Sequence, residues 1–497
     1  MKLELLIENM EYEILFGRTD VEITGISCDS RNCREGNIFV AIKGFESDGH
    51  KFIGNAVENG AICVIYEAGV GIDVSGFSNI TFIKVLDTRK VYSFLCNKFY
   101  NFPSKSLKLI GITGTNGKTT ISYILERIIP KSGVIGTINC RYKNNVKILE
   151  NTTPMSCDIN KFMQQVVKDG CENMIIEASS HGIDLKRLDY LDFNGGIFTN
   201  LSPEHLDYHR DLENYYLAKN RFFTELLPNS EKKGKFAVVN IDDEFGNRLI
   251  DEIPEDIKIF TYSLKNKRAD IFAENYKLGL GGTEIVINLF KNIFKIETNL
   301  IGEHNIYNAL ASILTAYVLN INIERIIYAF KNSIVIPGRL EKPIKDRNVF
   351  VDYAHTPDAL EKILANLNKL KNKKSRIITV FGCGGDRDKS KRAVMGYSAA
   401  KFSDFLVITS DNPRTEEPLS IIDDILAGVN KAIEEKIIDS KSYRVIPDRK
   451  DAIKMCLKLA KKDDIVLIAG KGHEDYQIIG KEKRHFSDIE EVKEFFR

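Results

Sequence analysis

The 497-residue chain has no excess of charge of either sign, no long apolar run and no C-x-x-C pair. Each absence removes a class of function. Lys plus Arg number 70 and Asp plus Glu 69, so there is no basic surplus to hold nucleic acid or an anionic membrane surface. No stretch approaches the roughly 20 apolar residues of a membrane span, so none is expected. The opening MKLELLIENMEYEILFG carries acids every few residues and no basic flank before a continuous apolar core, which is not the pattern of a signal peptide. Nine cysteines scatter from Cys28 to Cys456 without paired spacing. That suits a reducing cytoplasm and argues against both disulfides and a structural zinc.

What is present centres on LKLIGITGTNGKTTISYILERIIP, residues 107–130. An apolar run leads into Gly114, Thr115, Asn116, Gly117, Lys118, Thr119 and Thr120, and an amphipathic segment follows: buried strand, glycine loop, helix. Glycines let successive N–H groups converge on phosphate oxygens, the helix start adds partial positive charge, and Lys118 adds a full one. Thr119 offers a hydroxyl to magnesium. The first glycine of a Walker A motif is missing, since that position is Ile112. The competing reading is a fortuitous glycine turn, but strand, loop, lysine, hydroxyl and helix come in the required order.

Residues 1–104 read as a small α/β domain, with apolar runs at 38–42, 62–66 and 80–85. Two polar stretches, Cys28-Asp29-Ser30-Arg31 and Gly44-Phe45-Glu46-Ser47-Asp48-Gly49-His50, read as ordinary turns, and residues 100–104 as a linker. Residues 105–335 alternate strand and helix patterns, with strands expected at 107–113, 134–138, 174–177, 196–200 and 236–240. That predicts a mostly parallel sheet with ligands at the strand C-ends. Asn151, Thr152 and Thr153 form a hydroxyl-rich turn. Glu177 ends an apolar strand and is a natural magnesium ligand, or else a capping or surface acid. His205 and His209 would share a helix face, which first suggests zinc. The absence of an H-E-x-x-H glutamate and of nearby cysteine favours one imidazole in an oxygen-rich magnesium shell. Lys219 falls near the apolar face of a helix, as a ligand or as a snorkelling lysine. Another helix is expected at 309–319, with polar groups before it, Asn305 among them, that could hold a base or ribose.

Beyond residues 336–339 the pattern restarts, with strands at 349–352, 376–381, 405–409, 443–446 and 465–469. Thr356 can cap the first helix, Pro357 suits its first position, and Leu360, Ile363, Leu364, Leu367 and Leu370 form its stripe. Residues 336–497 therefore read as a second doubly wound, Rossmann-like sheet. Four polar loops follow its strands, at 352–355, 382–387, 410–414 and 470–474, which implies one site.

Taken together the motifs resemble the Mur ligases and the related folylpolyglutamate synthases. The loop 111–120 shares their missing glycine. Glu177-Ala178-Ser179-Ser180-His181, His205-Leu206-Asp207-Tyr208-His209, Ala218-Lys219, Pro337-Gly338-Arg339 and Asp352-Tyr353-Ala354-His355 follow in Mur order. The loops at 411–414 and 470–474 are similar to the branch that adds the third peptide residue. The resemblance implies three α/β domains: an N-terminal one for the UDP substrate (1–104), a central P-loop ATPase-like one (105–335) and a C-terminal one for the amino acid (336–497). It implies ATP-dependent addition of meso-2,6-diaminopimelate to the D-glutamate γ-carboxylate of UDP-MurNAc-L-Ala-D-Glu, through an acyl phosphate, in peptidoglycan precursor synthesis.

Residue by residue, the resemblance places Gly114 to Thr120 on ATP phosphates, with Asn305, Arg339 and Asp352 near the nucleotide. Ser30, Asn151, Thr152, Thr153, Ser179 and Arg187 would take the UDP substrate. Family members often carry glutamine where this chain has Leu185, so no contact is assigned there. Thr119, Glu177, His205 and Lys219, the last as a CO₂-derived carbamate, would serve two Mg²⁺ ions, with Lys118 neutralising charge. Arg387, Asp411, Asn412, Pro413, Arg414, Gly470 and Glu474 would hold diaminopimelate, Arg414 gripping its far carboxylate unless it instead pairs with Glu416 or Glu417. A cytoplasmic monomer is expected. The alternatives are the same ligase using L-lysine or another diamino acid, a folylpolyglutamate synthase-like ligase, and a nucleotide-binding regulatory protein without ligase activity.

Overall fold

The computed structural model describes residues 1–45 and 47–497; Glu46, in the second polar turn, lies outside the described residues. The chain divides into two compact units, residues 1–272 with 307–326 and residues 273–306 with 327–497.

The first unit carries two sheets. The N-terminal one has the order Glu13–Phe16, Thr81–Val85, Ala61–Glu67, Asn37–Val40, Gly25–Ser27, parallel except at the Glu13–Phe16 edge. Ile38, Val40, Cys63, Ile65 and Ile83 bury one face with Leu95 and Cys96 of the helix Thr88–Phe99, while Phe39, Val64 and Phe82 bury the other. Burial of both faces is why these strands read as continuous apolar runs rather than alternating ones.

In the central sheet, Lys258–Ser263, Phe236–Asn240, Gly195–Phe198, Lys108–Thr113, Asn173–Glu177 and Ser132–Ile135 lie side by side and parallel. Ile112 is in register with Glu177 on one side and Ile197 on the other. The glycine loop therefore leaves the sheet between two strand ends. From the strand Lys108–Thr113 the chain crosses to Ser132–Ile135 on one side, and Gly195–Phe198 flanks it on the other, so the crevice at the strand C-ends opens there.

The second unit is built on a five-stranded parallel sheet ordered Asn348–Asp352, Ile465–Ala469, Ile377–Phe381, Phe405–Ile408, Tyr443–Val445. Separate apolar clusters cover its two faces, as a doubly wound sheet requires. The helix Pro357–Leu370 starts as its sequence demands: Thr356 Oγ1 accepts the Ala359 N–H, and Leu360, Leu364 and Leu367 are buried. Among the described residues no helix is long and apolar enough to cross a membrane.

Three expectations are corrected. The strand expected at 134–138 runs Ser132–Ile135, because the chain turns at Gly136, whose N–H bonds the Asn139 carbonyl (3.2 Å). The helix expected at 309–319 begins six residues earlier and spans Glu303–Val318, directly after Gly302 at φ +93°. The cysteine pattern argued against disulfides, yet Cys96 and Cys157 are joined, Cα atoms 5.0 Å apart and 61 residues apart in sequence. Cys96 lies on the helix Thr88–Phe99 and Cys157 on Ser156–Lys168, which pack together with Ser93 Oγ hydrogen-bonded to Ser156 Oγ (2.6 Å). Tertiary packing, not local spacing, brings the pair into range.

Candidate active site

The phosphate loop is shaped by two glycines with backbone angles that other residues avoid: Gly114 at φ +135° and Gly117 at φ +94°, the latter heading the helix Lys118–Ile128. A neighbouring segment fixes it from the side. Asn200 accepts the Thr115 N–H at its carbonyl (2.8 Å) and the Asn116 N–H at Oδ1 (3.0 Å), and Thr199 Oγ1 donates to the Asn116 carbonyl (2.7 Å). Ser202 N–H donates to Thr115 Oγ1 (3.0 Å). Lys118 Nζ donates to the carbonyls of Gly114 (2.8 Å) and Thr115 (2.9 Å), bent over the loop it would share with a phosphate.

Glu177 is fully buried, which rules out the surface acid. Its Oε2 accepts from Thr119 Oγ1 (2.9 Å) and Thr137 Oγ1 (2.8 Å), and its Oε1 from Ser122 Oγ (3.3 Å). Gly136 leaves room beside it, since a Cβ there would stand 2.2 Å from Oε1. A carboxylate ringed by hydroxyls is a hard, oxygen-only set, the kind magnesium takes with one or two carboxylates plus water and phosphate. This oxygen set suits magnesium completed by substrate oxygens; among the described residues no three His, Cys, Asp or Glu side chains gather as a metal cage.

On the loop's other flank Lys219 is 1% exposed, so it does not snorkel. Its Nζ donates to the Gly114 carbonyl (2.9 Å) and sits 4.4 Å from the centre of the Tyr215 ring. Burial, and after it the charge of Lys118, holds its pKa well below the ordinary lysine range, with Glu204 opposing. The shift favours the neutral amine, the form that can react with CO₂.

The two histidines do not share a helix face, since His205 lies outside the turn that ends at His209. His209, at the end of the single turn Leu206–His209, is buried with Nε2 at 3.0 Å from Ser180 Oγ. His205 precedes that turn at φ +56°. Its pKa is lowered by desolvation, with Lys118 and Lys219 adding to the effect, so it is a neutral donor at physiological pH.

Of the residues expected on the UDP substrate, four come together. Thr153 Oγ1 donates to the Glu177 carbonyl (2.7 Å) and lies 3.0 Å from Ser179 Oγ; Arg187 Nη1 donates to the Thr153 carbonyl (2.8 Å). Thr152 Oγ1 is 3.1 Å from Thr137 Oγ1, which links this turn to Glu177. Asn151 is exposed beside them, and Ser30 opens a 3₁₀ turn of the N-terminal sheet's domain. Leu185 ends the short helix Ser180–Asp184.

In the second unit two of the nucleotide candidates, Arg339 and Asp352, lie at one strand end. Asp352, 3% exposed, accepts the N–H groups of Leu340 (2.7 Å) and Ala354 (2.8 Å), and burial pushes its pKa up to about 6 against the pull of Arg339. The Arg339 guanidinium lies 5.0 Å from the centre of the Tyr353 ring. Asn305, in the first turn of the helix Glu303–Val318, donates to the Ile301 carbonyl (2.8 Å).

The loops expected at an amino-acid site lie against one another. Asn412 Nδ2 donates to Glu474 Oε2 (2.9 Å), and Arg414 Nη1 donates to the Gly385 carbonyl (2.7 Å), beside Gly384. Asp411 lies 3.6 Å from the position a Gly470 Cβ would take. Arg387 is exposed at the rim, 3.9 Å from the corresponding point on Gly384. Glu416 is engaged by Arg392 (2.8 and 3.0 Å) and Lys389 (3.2 Å), so it is not the partner of Arg414. Pro413 lies between Asn412 and Arg414 in the same loop.

Sequence reasoning missed the residues that support the site rather than face it. Thr199 and Asn200 brace the phosphate loop, and their signal was their place at the end of the strand beside it. Gln477 and Ile478, on the short hairpin Tyr476–Ile479 and Glu482–His485, bond the Asp411 carbonyl (2.7 Å) and Asn412 Oδ1 (3.0 Å). Nothing local signalled them.

Comparison with known proteins gives three family-model matches in order along the chain: Mur ligase family, catalytic domain (residues 22–100), Mur ligase middle domain (112–316) and Mur ligase, glutamate ligase domain (338–472). The UDP-N-acetylmuramoyl-L-alanyl-D-glutamate–2,6-diaminopimelate ligase of Clostridium tetani is 41% identical over 503 residues, covering 99% of both chains. The chain belongs to the Mur ligase family. The enzyme of the same name from Clostridioides difficile is 42% identical, again over 99% of both chains. A solved structure of a ligase of that name superposes with a TM-score of 0.69 at 31% identity, covering 100% of this chain and 98% of the other. Mur ligases are ATP-dependent enzymes that form peptide bonds, and the three larger sheets described above are that family's architecture.

Proposed function

We propose that this Mur ligase adds meso-2,6-diaminopimelate to the D-glutamate γ-carboxylate of UDP-MurNAc-L-Ala-D-Glu, using ATP. The observation that carries the reading is the bipolar amino-acid site: an Asp411–Glu474 pole and an Arg414 guanidinium that pairs with no carboxylate among the described residues. Diaminopimelate differs from lysine by a second carboxylate at its far end, and a planar guanidinium grips a carboxylate with two hydrogen bonds. Leaving that arginine unpaired with lysine bound costs roughly 1–3 kcal/mol, a rejection of about fivefold to over a hundredfold.

In the first step both reactants are anions. Lys118 and the loop N–H groups position the triphosphate so that the γ-carboxylate oxygen attacks the γ-phosphorus. The P–O bond to ADP breaks, and an acyl phosphate forms. Free diaminopimelate amine then attacks the carbonyl carbon, orthophosphate leaves, and the amine loses a proton. Thr119 and Glu177 would hold one magnesium ion, and Glu177, His205 and Lys219 a second. Bound magnesium neutralises the charge of the phosphates. A bare ammonium at 219 would repel a cation. Attack of the neutral amine on CO₂, with loss of a proton, makes it an anionic oxygen donor instead. We assign the UDP substrate to Ser30 and the 151–153, Ser179 and Arg187 group. The need for ATP and a UDP-activated substrate, rather than the cysteines, favours the cytoplasm; a monomer suffices.

The test is orthophosphate release from the purified chain with ATP, Mg²⁺, UDP-MurNAc-L-Ala-D-Glu and diaminopimelate, each omitted in turn. Release that needs all four supports the ligase. Release with lysine as fast as with diaminopimelate would shift the reading to a lysine-adding ligase.

A further inference from the structure

Resting on the reading above, we propose that Lys471 is the positioning residue of the amino-acid site, holding Asp411, Asn412 and Glu474 together as a preformed receptor for the ammonium group of the incoming diamino acid. Lys471 lies in the loop after the strand Ile465–Ala469 and has no exposed surface. Its three N–H donors meet three acceptors: Asp411 Oδ1 (3.2 Å), Asn412 Oδ1 (3.1 Å) and Glu474 Oε2 (3.3 Å). These are the same side chains the specificity argument needs, and they come from two different strand-end loops.

The charges explain why a lysine stands here. Desolvating an ammonium is costly, and a well-packed apolar side chain would serve stability as well or better. Two carboxylates reaching one nitrogen would repel each other without it. With it, Asp411 and Glu474 carry two negative charges against one positive, so one negative charge remains for a ligand cation. The nearby Arg449 does not cancel it, because Asp488 takes that guanidinium in two hydrogen bonds of 2.7 Å, both residues buried. Burial raises the pKa of Glu474 and Asp411 adds to the rise, while the Lys471 charge and the Asn412 hydrogen bond oppose it. Asn412 is locked at both ends: its Oδ1 also accepts the Ile478 N–H (3.0 Å), which aims Nδ2 at Glu474. The loop tolerates this geometry because Gly470, at φ +117°, and Gly472, at φ +54°, bracket the lysine.

The experiment compares full-length K471M and K471Q with the unsubstituted enzyme, measuring kcat and the KM of each substrate by orthophosphate release, with thermal melting to establish folding. The expected result for K471M is a KM for diaminopimelate raised roughly 30- to 100-fold, with KM for ATP and for UDP-MurNAc-L-Ala-D-Glu within about twofold. K471Q, one atom shorter but keeping a donor group, should fall between. A diaminopimelate KM within about threefold of normal in a folded variant overturns the proposal. So does an equal loss in all three KM values, or failure of both variants to fold, since either makes Lys471 a purely structural residue. If the unsubstituted enzyme releases no phosphate with diaminopimelate, the ligase reading itself fails, and that control separates the two.

Discussion

The conformation of the phosphate loop can be tested at one atom. A Cβ at Gly114 would stand 1.9 Å from Thr199 Oγ1 and 3.0 Å from both the backbone N and O of Asn200, at a backbone φ of +135°. An alanine there carries two penalties. The dihedral alone costs about 1–3 kcal/mol for a residue with a side chain. The overlap also forces Thr199 away, breaking its 2.7 Å bond to the Asn116 carbonyl and loosening the Asn200 bonds to Thr115 and Asn116, worth about 1 kcal/mol more. The free enzyme escapes by letting the loop relax, and a nucleotide must then restore it, so the penalty appears in affinity. About 2–4 kcal/mol corresponds to ADP binding weakened roughly 30- to 1,000-fold in Gly114→Ala. Isothermal titration with ADP and Mg²⁺ measures this, with thermal melting to confirm folding. Thr199→Ala removes the overlapping oxygen. Alone it should weaken ADP binding only a few-fold, through the lost hydrogen bond. Combined with Gly114→Ala it should recover only about two- to threefold, as the Asn200 bonds re-form, leaving the dihedral penalty and the lost Thr199 bond. Gly114→Ala binding ADP within threefold of normal, or a double variant no better than Gly114→Ala, would refute the reasoning.

Lys219→Ala should nearly abolish phosphate release, and a short carboxylic acid in the assay should restore part of it by replacing the carbamate oxygens; full activity without Lys219 would remove this role. Because burial disfavours the ammonium there, Lys219→Met should melt no lower than the unsubstituted chain despite its lost activity, as differential scanning calorimetry can show. Arg414→Ala should shrink the preference for diaminopimelate over lysine from about fivefold or more towards unity, through a raised diaminopimelate KM; a competition assay checks it. Asp352 supplies a pH signature. Its folded pKa of about 6 lies above the unfolded value near 3.9, so the unfolded chain ionises first. The stability it contributes is complete below about pH 4 and lost by about pH 6, a fall of about 3 kcal/mol. Urea unfolding across that window should show a slope in the unsubstituted chain that Asp352→Ala lacks.

What was legible in the sequence was what neighbours in the chain determine. The strand, loop and helix from 107 to 130 could be read because glycine, lysine and threonine are needed at fixed offsets from an apolar run, and the helix Pro357–Leu370 because its cap and stripe lie within its own residues. The ambiguous residues were those whose meaning depends on a partner far along the chain. Lys219 could be a snorkelling or a buried lysine until the Gly114 carbonyl, 105 residues away, proved to be its acceptor. Arg414 could be a surface ion pair until Arg392, from another helix, proved to occupy Glu416. Cys96 and Cys157 had no shared pattern because only the packing of two helices joins them. Lys471 illustrates the limit most plainly: its three acceptors lie at 411, 412 and 474, and only one of these is close to it in sequence. A catalytic chain thus exposes its reacting groups, which sit in loops with demanding backbone geometry, and conceals the side chains that aim them. The supporting residues need only an ordinary backbone and the right neighbour, so no local rule marks them, and they emerge only when the strands of a parallel sheet bring distant loops to one edge.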